Sequence, residues 1–224
     1  MKYVVVIGDG MADYPLEELG GKTPLQVAHK PNMDEIAARG KNGLLVTIPE
    51  GMSAGSDIAN LSIMGYDPRE CYTGRGALEA ASIGVKMGPD DTAFRCNLIT
   101  EKDGLIADYC AGHISTQEAG ELIEELDSAF DEGKFYPGVS YRHLFTLKHA
   151  KNLECTPPHD VLGGKIEEHM IKPEDNPVAK TLNKMILDSK GILEDHPVNK
   201  KRIMEGKNPA NMIWLWGQGE RPDI

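Results

Sequence analysis

The chain has 224 residues, 40% hydrophobic and 26% charged, enough to bury a core as one large domain or two modest ones. Thirty-five acidic residues against 24 basic ones give a formal charge of −11, which argues against nucleic acid or an anionic membrane as partner. No apolar run approaches the ~18 residues of a membrane span, and the segment from Met1 to Gly8 is too short for a signal-peptide core.

The β-branched run Tyr3–Ile7 predicts a strand buried on both faces of a parallel sheet. Short helices are expected to start at Thr23-Pro24 and Lys30-Pro31, the second stopping at Arg39-Gly40 with Met33, Ile36 and Ala37 on one face. Gly43–Ile48 reads as a second strand, completing a βαβ unit. Helices follow over Ile58–Met64 and Ala77–Ile83. Phe94–Ile99 reads as a third strand, with Leu105–Asp108 as its partner across the turn at Lys102–Gly104. Thr116–Phe130 predicts an amphipathic helix that Thr116 could cap. Tyr141–Leu147 alternates as a half-exposed strand, Thr156–Asp160 is a stiff loop, Val178–Leu187 a helix, and Asn211–Trp216 a fully buried strand. The expected organisation is a core of residues 1–103 and 207–224 interrupted by an inserted α+β subdomain, 104–206. Four scattered cysteines (Cys71, Cys96, Cys110, Cys155) show no C-x-x-C spacing, which favours reduced thiols in a cytoplasmic protein.

Two positions carry the first chemical suggestion. Asp9, between Gly8 and Gly10 at the carboxyl end of the first expected strand, stands where open α/β sheets hold ligands. It is equally a turn former. Ser56, in Gly55-Ser56-Asp57 before a helix, reads either as an ordinary N-cap or as a nucleophile placed where helix N–H groups favour a phosphoryl group. A divalent metal on Asp9 could turn Ser56 into an alkoxide. Arg75, between two glycines, suits a phosphate or carboxylate clamp, or a solvated turn. Arg95 lies within a strand and needs an acid or a ligand there. Arg142, His143, His113 and His159 are further candidates for substrate contact, whereas His29, His149 and His169 read as surface residues. Trp214 and Trp216 read as core.

Taken in order, several motifs resemble the archaeal-type cofactor-independent phosphoglycerate mutases of the alkaline phosphatase superfamily. They are Ile7–Asp13 (IGDGMAD), Leu19–Pro24 (LGGKTP), Lys30–Asp34 (KPNMD), Ala54–Asp57 (AGSD), Leu61–Asp67 (LSIMGYD), Tyr72–Gly76 (YTGRG) and Ala93–Asn97 (AFRCN). Motifs of the insert, Ala111–Ser115 (AGHIS), Pro137–His143 (PGVSYRH), Pro157–Asp160 (PPHD) and His196–Asn199 (HPVN), resemble a bacterial branch that has also been proposed to act as homoserine kinases. Asn60 stands where archaeal members often carry histidine, which leans toward that branch.

The resemblance implies an α/β fold: an alkaline phosphatase-like core sheet with an inserted α+β subdomain. It implies two divalent metals, usually manganese or zinc, with Asp9 as a ligand and Ser56 as a nucleophile that also touches metal. The reaction implied is exchange of 3- and 2-phosphoglycerate through a phosphoserine, without bisphosphoglycerate or nucleotide. Its substrate is a phosphorylated three-carbon acid held by residues of the Arg75, Arg95, His113, Arg142, His143 and His159 set. The alternatives are a homoserine kinase-like phosphotransferase, or a fragment inactive without a C-terminal half. The family's other aspartate and histidine ligands lie beyond Trp214–Gly217, so the core is expected to be incomplete at the C-terminus. Either a missing half or a second copy of the chain could then be the partner.

Overall fold

The computed structural model describes residues 1–222, so Asp223 and Ile224 of the expected core segment 207–224 lie outside the described residues. The chain divides into two compact units, Met1–Val46 and Thr47–Ile224.

The first unit contains α1 (Pro24–Val27) and α2 (Pro31–Arg39), each with proline in its first turn. Thr23 and Gln26 close a reciprocal capping box on α1. The helices form where expected, but the two strands do not. Residues 3–8 and 43–48 have no strand assignment, and Val4 and Val6 stand 84% and 87% exposed. A strand meant to be buried on both faces has no ladder of its own. It forms only with a neighbour on each side, and among the described residues neither run has one.

The second unit opens with three helices, α3 (Ser56–Ile63), α4 (Pro68–Cys71) and α5 (Arg75–Ser82). A five-stranded antiparallel sheet follows: β1 (Asp91–Lys102), β2 (Leu105–Asp108), β3 (Lys134–Val139), β4 (Arg142–Lys148) and β5 (Met212–Glu220). Twelve-residue β1 is its spine, pairing with β4 and β5 along most of its length and with β2 at its end. The fold is therefore mixed α/β as expected, with an antiparallel sheet as its organising layer. Strands assigned in advance to the core (β1, β5) and to the insert (β4) share that one sheet.

The remaining helices are α6 (Thr116–Ala129), α7 (Pro177–Leu193) and α8 (Pro197–Met204). Ser115, not Thr116, caps α6, in a capping box with Glu118, while the Thr116 hydroxyl accepts from the Ser140 N–H. β4 does not alternate as expected: His143, Leu144 and Phe145 are buried in succession, between β1 and β3. β3 itself was not expected: Pro137 and Gly138 mark it as a loop, yet both are tolerated on an edge strand with a register shift.

Because strand side chains alternate between faces and paired residues share one, the register sorts the sheet cleanly. Phe94, Cys96 and Leu98 of β1 share a face with His143 and Phe145 of β4 and with Ile213 and Leu215 of β5. The apolar members of that set join Leu122, Ile123 and Leu126 of α6 and Leu182 and Ile186 of α7 in the main core. The opposite face carries two cross-strand rows, Leu144–Arg95–Trp216 and Arg142–Asn97–Trp214. α5 packs on this second face, where Ala80, Ala93 and Leu144 form a small cluster.

Candidate active site

The second face of the sheet opens into a cleft of about 510 Å³ whose lining includes Ser56, Asp57, Arg75, Arg95 and Arg142. Gly55, with extended backbone and no side chain to contribute, is the N-cap of α3. Ser56 is thus the first helical residue, exposed, and its hydroxyl makes no hydrogen bond among the described residues. The ordinary capping role considered from the sequence does not apply. The N-cap itself supplies no side-chain acceptor to the first-turn N–H groups, although the Asp57 carboxylate accepts from that of Ile58.

Asp57 follows, and its carboxylate lies at the helix end: a Cβ on Gly55 would meet Oδ1 at 2.4 Å, and the Ile58 backbone N–H donates to it. Oδ2 accepts from the Tyr72 hydroxyl at 2.5 Å and from Arg75 Nε at 3.0 Å. Burial alone would raise the Asp57 carboxyl, but the Tyr72 and Arg75 hydrogen bonds and the Arg75 charge bring it below its ordinary value. Burial and the same contact push the Tyr72 hydroxyl up, so it stays a donor.

The glycines flanking Arg75 serve packing. A Cβ at Gly74 (φ +145°) would meet the Gln218 carbonyl oxygen at 1.8 Å, and one at Gly76 the Ala93 carbonyl oxygen at 2.1 Å. Only glycine lets the start of α5 lie this close to β5 and β1. That approach sets Arg75 over the Trp216 ring, Cζ 5.4 Å from its centroid. Arg95 Cζ lies 4.6 Å from the same centroid.

Arg95 is one of the under-satisfied groups in the unit. It is buried, its Nε has no hydrogen-bond partner, and its one carboxylate neighbour, Glu79, lies 3.6 Å away. Burial lowers its pKa. A buried guanidinium held this way has donor capacity that its protein partners do not use. Arg142 reaches the cleft from the β4 row that includes Asn97 and lies 6.0 Å over Tyr141.

His143 borders the cleft, but its register with Cys96 turns its side chain to the face opposite Arg95 and Arg142. Nδ1 accepts the Gly138 N–H at 3.0 Å, so the ring proton sits on Nε2, which is buried without a partner. Burial pushes its pKa down to about 4, leaving it neutral near pH 7. His159 packs edge-on against Trp216 at 5.2 Å, and Tyr109 and Tyr141 continue an aromatic chain to His113. His113 sits in a run of left-handed residues, Ala111 to His113. The structure thus brings Ser56, Arg75, Arg95 and Arg142 to one cleft, with His159 and His113 beside it along the aromatic chain. Asp9 lies in the first unit, exposed, in the turn that includes Gly10.

Reasoning from sequence missed Asn97 and the site role of Trp216. Trp216 is buried as expected, yet it carries two guanidiniums, and Asn97 Oδ1 accepts its indole N–H at 3.0 Å. The available signal was the two-residue spacing of Arg95 and Asn97, which puts both on one strand face.

A family model described as 2,3-bisphosphoglycerate-independent phosphoglycerate mutase matches residues 37–199. The chain belongs to that family. It is 54% identical over its whole length to a mutase of that name from Methanothrix thermoacetophila, and 58% identical over 99% of its length to one from Methanosarcina barkeri. A solved cofactor-independent phosphoglycerate mutase from Thermoplasma acidophilum superposes on 96% of the chain with a TM-score of 0.60 at 32% identity. The chain spans 56% of the length of both sequence relatives and 58% of the solved chain. Among the described residues no group of three or more His, Cys, Asp or Glu side chains could hold a metal ion, so the residues present do not by themselves make a metal centre. No described helix is long and apolar enough to cross a membrane.

Proposed function

We propose that the whole protein interconverts 3-phosphoglycerate and 2-phosphoglycerate through a phosphoserine at Ser56, without bisphosphoglycerate. The observation that carries this reading is an unencumbered serine on an uncapped helix N-terminus, opening on a cleft with three arginines. Ser56 Oγ attacks phosphorus, the bond to the glycerate 3-oxygen breaks, and that oxygen leaves with the serine's proton. The 2-hydroxyl then attacks the phosphoserine and its proton returns to Ser56 Oγ. The helix N–H groups and Arg75 face the transferring phosphoryl group. Arg95 and Arg142 hold the glycerate carboxylate while the molecule reorients. Holding the intermediate without losing it to water requires closure over the cleft.

The divalent metals implied by the resemblance have two expected ligands in this chain, Asp9 and Ser56, fewer than the four or more that such ions take. On this proposal the other donors come from the part of the relatives' length that the chain does not span, and manganese or zinc fits the role. The cytoplasm is the proposed compartment. The division into a core (1–103 with 207–224) and an insert (104–206) is likewise proposed for the whole protein. What supports grouping 1–103 with 207–224 is the pairing of β1 with β5, one strand from each stretch.

The test is phosphorus NMR of 3-phosphoglycerate with manganese and the full-length gene product, no bisphosphoglycerate being added. A 2-phosphoglycerate signal is expected, and Ser56→Ala should lower its rate by about a thousandfold or more without lowering Tm, since the hydroxyl bonds nothing. Phosphorylation of homoserine by ATP in place of that signal would overturn the mutase reading.

A further inference from the structure

We propose that Trp216 is a positioning residue: its indole, pinned by Asn97, is the platform that holds Arg75 and Arg95 in their anion-binding poses. The proposal rests on the reading that the cleft takes a phosphorylated acid, and it assigns the structural element that makes the cleft selective.

Both guanidiniums lie close to the one aromatic ring. Arg75 donates through Nε to Asp57, and Arg95 lies near Glu79. Two like charges over a single ring repel, and part of the Arg95 perturbation comes from Arg75. What offsets the repulsion is the negative face of the indole, the strongest cation–π partner among side chains. The ring is also fixed against rotation. Trp216 Nε1 donates to Asn97 Oδ1 at 3.0 Å, and Asn97 Nδ2 donates to the Tyr109 carbonyl at 3.1 Å, so the pin is itself held. His159 closes the ring's remaining approach edge-on.

Apart from the Arg75–Asp57 pair, neither guanidinium donates a hydrogen bond among the described residues. Stacking consumes no donor, so a ring can hold a guanidinium in place while leaving its N–H fork free for an oxyanion. A carboxylate partner in place of the ring would occupy that fork.

Trp214 provides an internal control. It lies two residues earlier in β5 on the same sheet face, equally buried, with its indole donating to the Thr156 carbonyl at 2.8 Å and no arginine on its ring. A role in folding alone would make the two tryptophans equivalent.

The experiment uses the full-length protein. The indole N–H resonances of Trp214 and Trp216, assigned with Trp214→Phe and Trp216→Phe, are followed during titration with inorganic phosphate and then with 3-phosphoglycerate. The Trp216 resonance is expected to shift with both, and that of Trp214 to stay. Steady-state kinetics should show Trp216→Leu raising KM about tenfold, with Trp216→Phe raising it less because a ring remains. Trp214→Leu should lower Tm by a similar amount while leaving KM in place. Equal KM effects at 214 and 216, or a Trp216 resonance indifferent to phosphate, would overturn the platform. If no mutase activity is found, the phosphate titration still decides, since it depends on anion binding and not on turnover.

Discussion

The two faces of the five-stranded sheet are made from alternate residues of the same strands, yet they are held together by different physics. Toward α6 and α7, Phe94, Cys96, Leu98, Phe145, Ile213 and Leu215 meet mainly apolar helix residues, with buried Ser189 of α7 accepting the Ile213 N–H. Toward α5, the same strands present Arg95, Asn97, Arg142, Trp214 and Trp216, and the contacts are ion pairs, cation–π stacks and side-chain hydrogen bonds. The first face is built by removing area from water, a term without direction. The second is built from groups whose worth depends on angle and charge, and it leaves donors unmatched. A sheet can bear such a face because its reverse side carries the stability.

Truncation of the apolar face should therefore be costly and functionally silent. Leu122 is fully buried in the α6 seam against the sheet. Leu122→Ala is expected to lose about 2–5 kcal/mol, as a cavity in a packed core does. Denaturant melts of the full-length protein would read the loss, and KM for 3-phosphoglycerate should not move. A KM shift of the size expected for the arginines would show that the two faces are mechanically coupled.

The polar face should give the converse result. Arg95→Met keeps similar bulk over Trp216 and removes a buried cation that lacks a full partner. KM for 3-phosphoglycerate is expected to rise about ten- to a hundredfold, the worth of one or two charge-assisted hydrogen bonds. Tm should hold or increase, because the folded state no longer buries that charge. A fall in Tm with KM unchanged would make Arg95 a structural ion-pair partner of Glu79 instead.

How much of this was legible beforehand follows the same divide. The α6 seam, the β1 strand and the turn into β2 were read from periodicity, because burial on one face writes itself into the sequence at fixed spacing. Arg95 was noticed because a charge inside an apolar strand has few explanations. Its partners were not, since Trp216 is more than a hundred residues away and only the antiparallel register brings the two together. The glycines around Arg75 were seen, but not the reason for them, which is that they admit the backbones of β5 and β1. The apolar runs 3–8 and 43–48 mark the other limit. Their composition is as strand-like as that of Phe94–Ile99, but only the latter lies between two paired neighbours. Strand propensity describes fitness for a sheet and does not supply one.

The smallest expected effect sits where the polar face meets the helix of Ser56, the proposed nucleophile. Asp57 joins Tyr72 and Arg75 and so ties α3 to the start of α5. Its carboxyl titrates below the ordinary 3.8 in the folded protein, and an unfolded chain restores the ordinary value. A depressed folded pKa means the charged form adds stability above about pH 3.8, and that this stability drains away as pH falls through the folded value. Asp57→Asn keeps the shape and removes the charge. It should cost about 1 kcal/mol at pH 7, measured by urea unfolding, and less at pH 3 than at pH 7. Leu122→Ala, measured in parallel, should lose the same amount at both pH values, because area burial has no titratable part. If the Asp57→Asn loss persisted unchanged at pH 3, the tie between α3 and α5 would be one of packing, and charge would not be what distinguishes the two faces at this point.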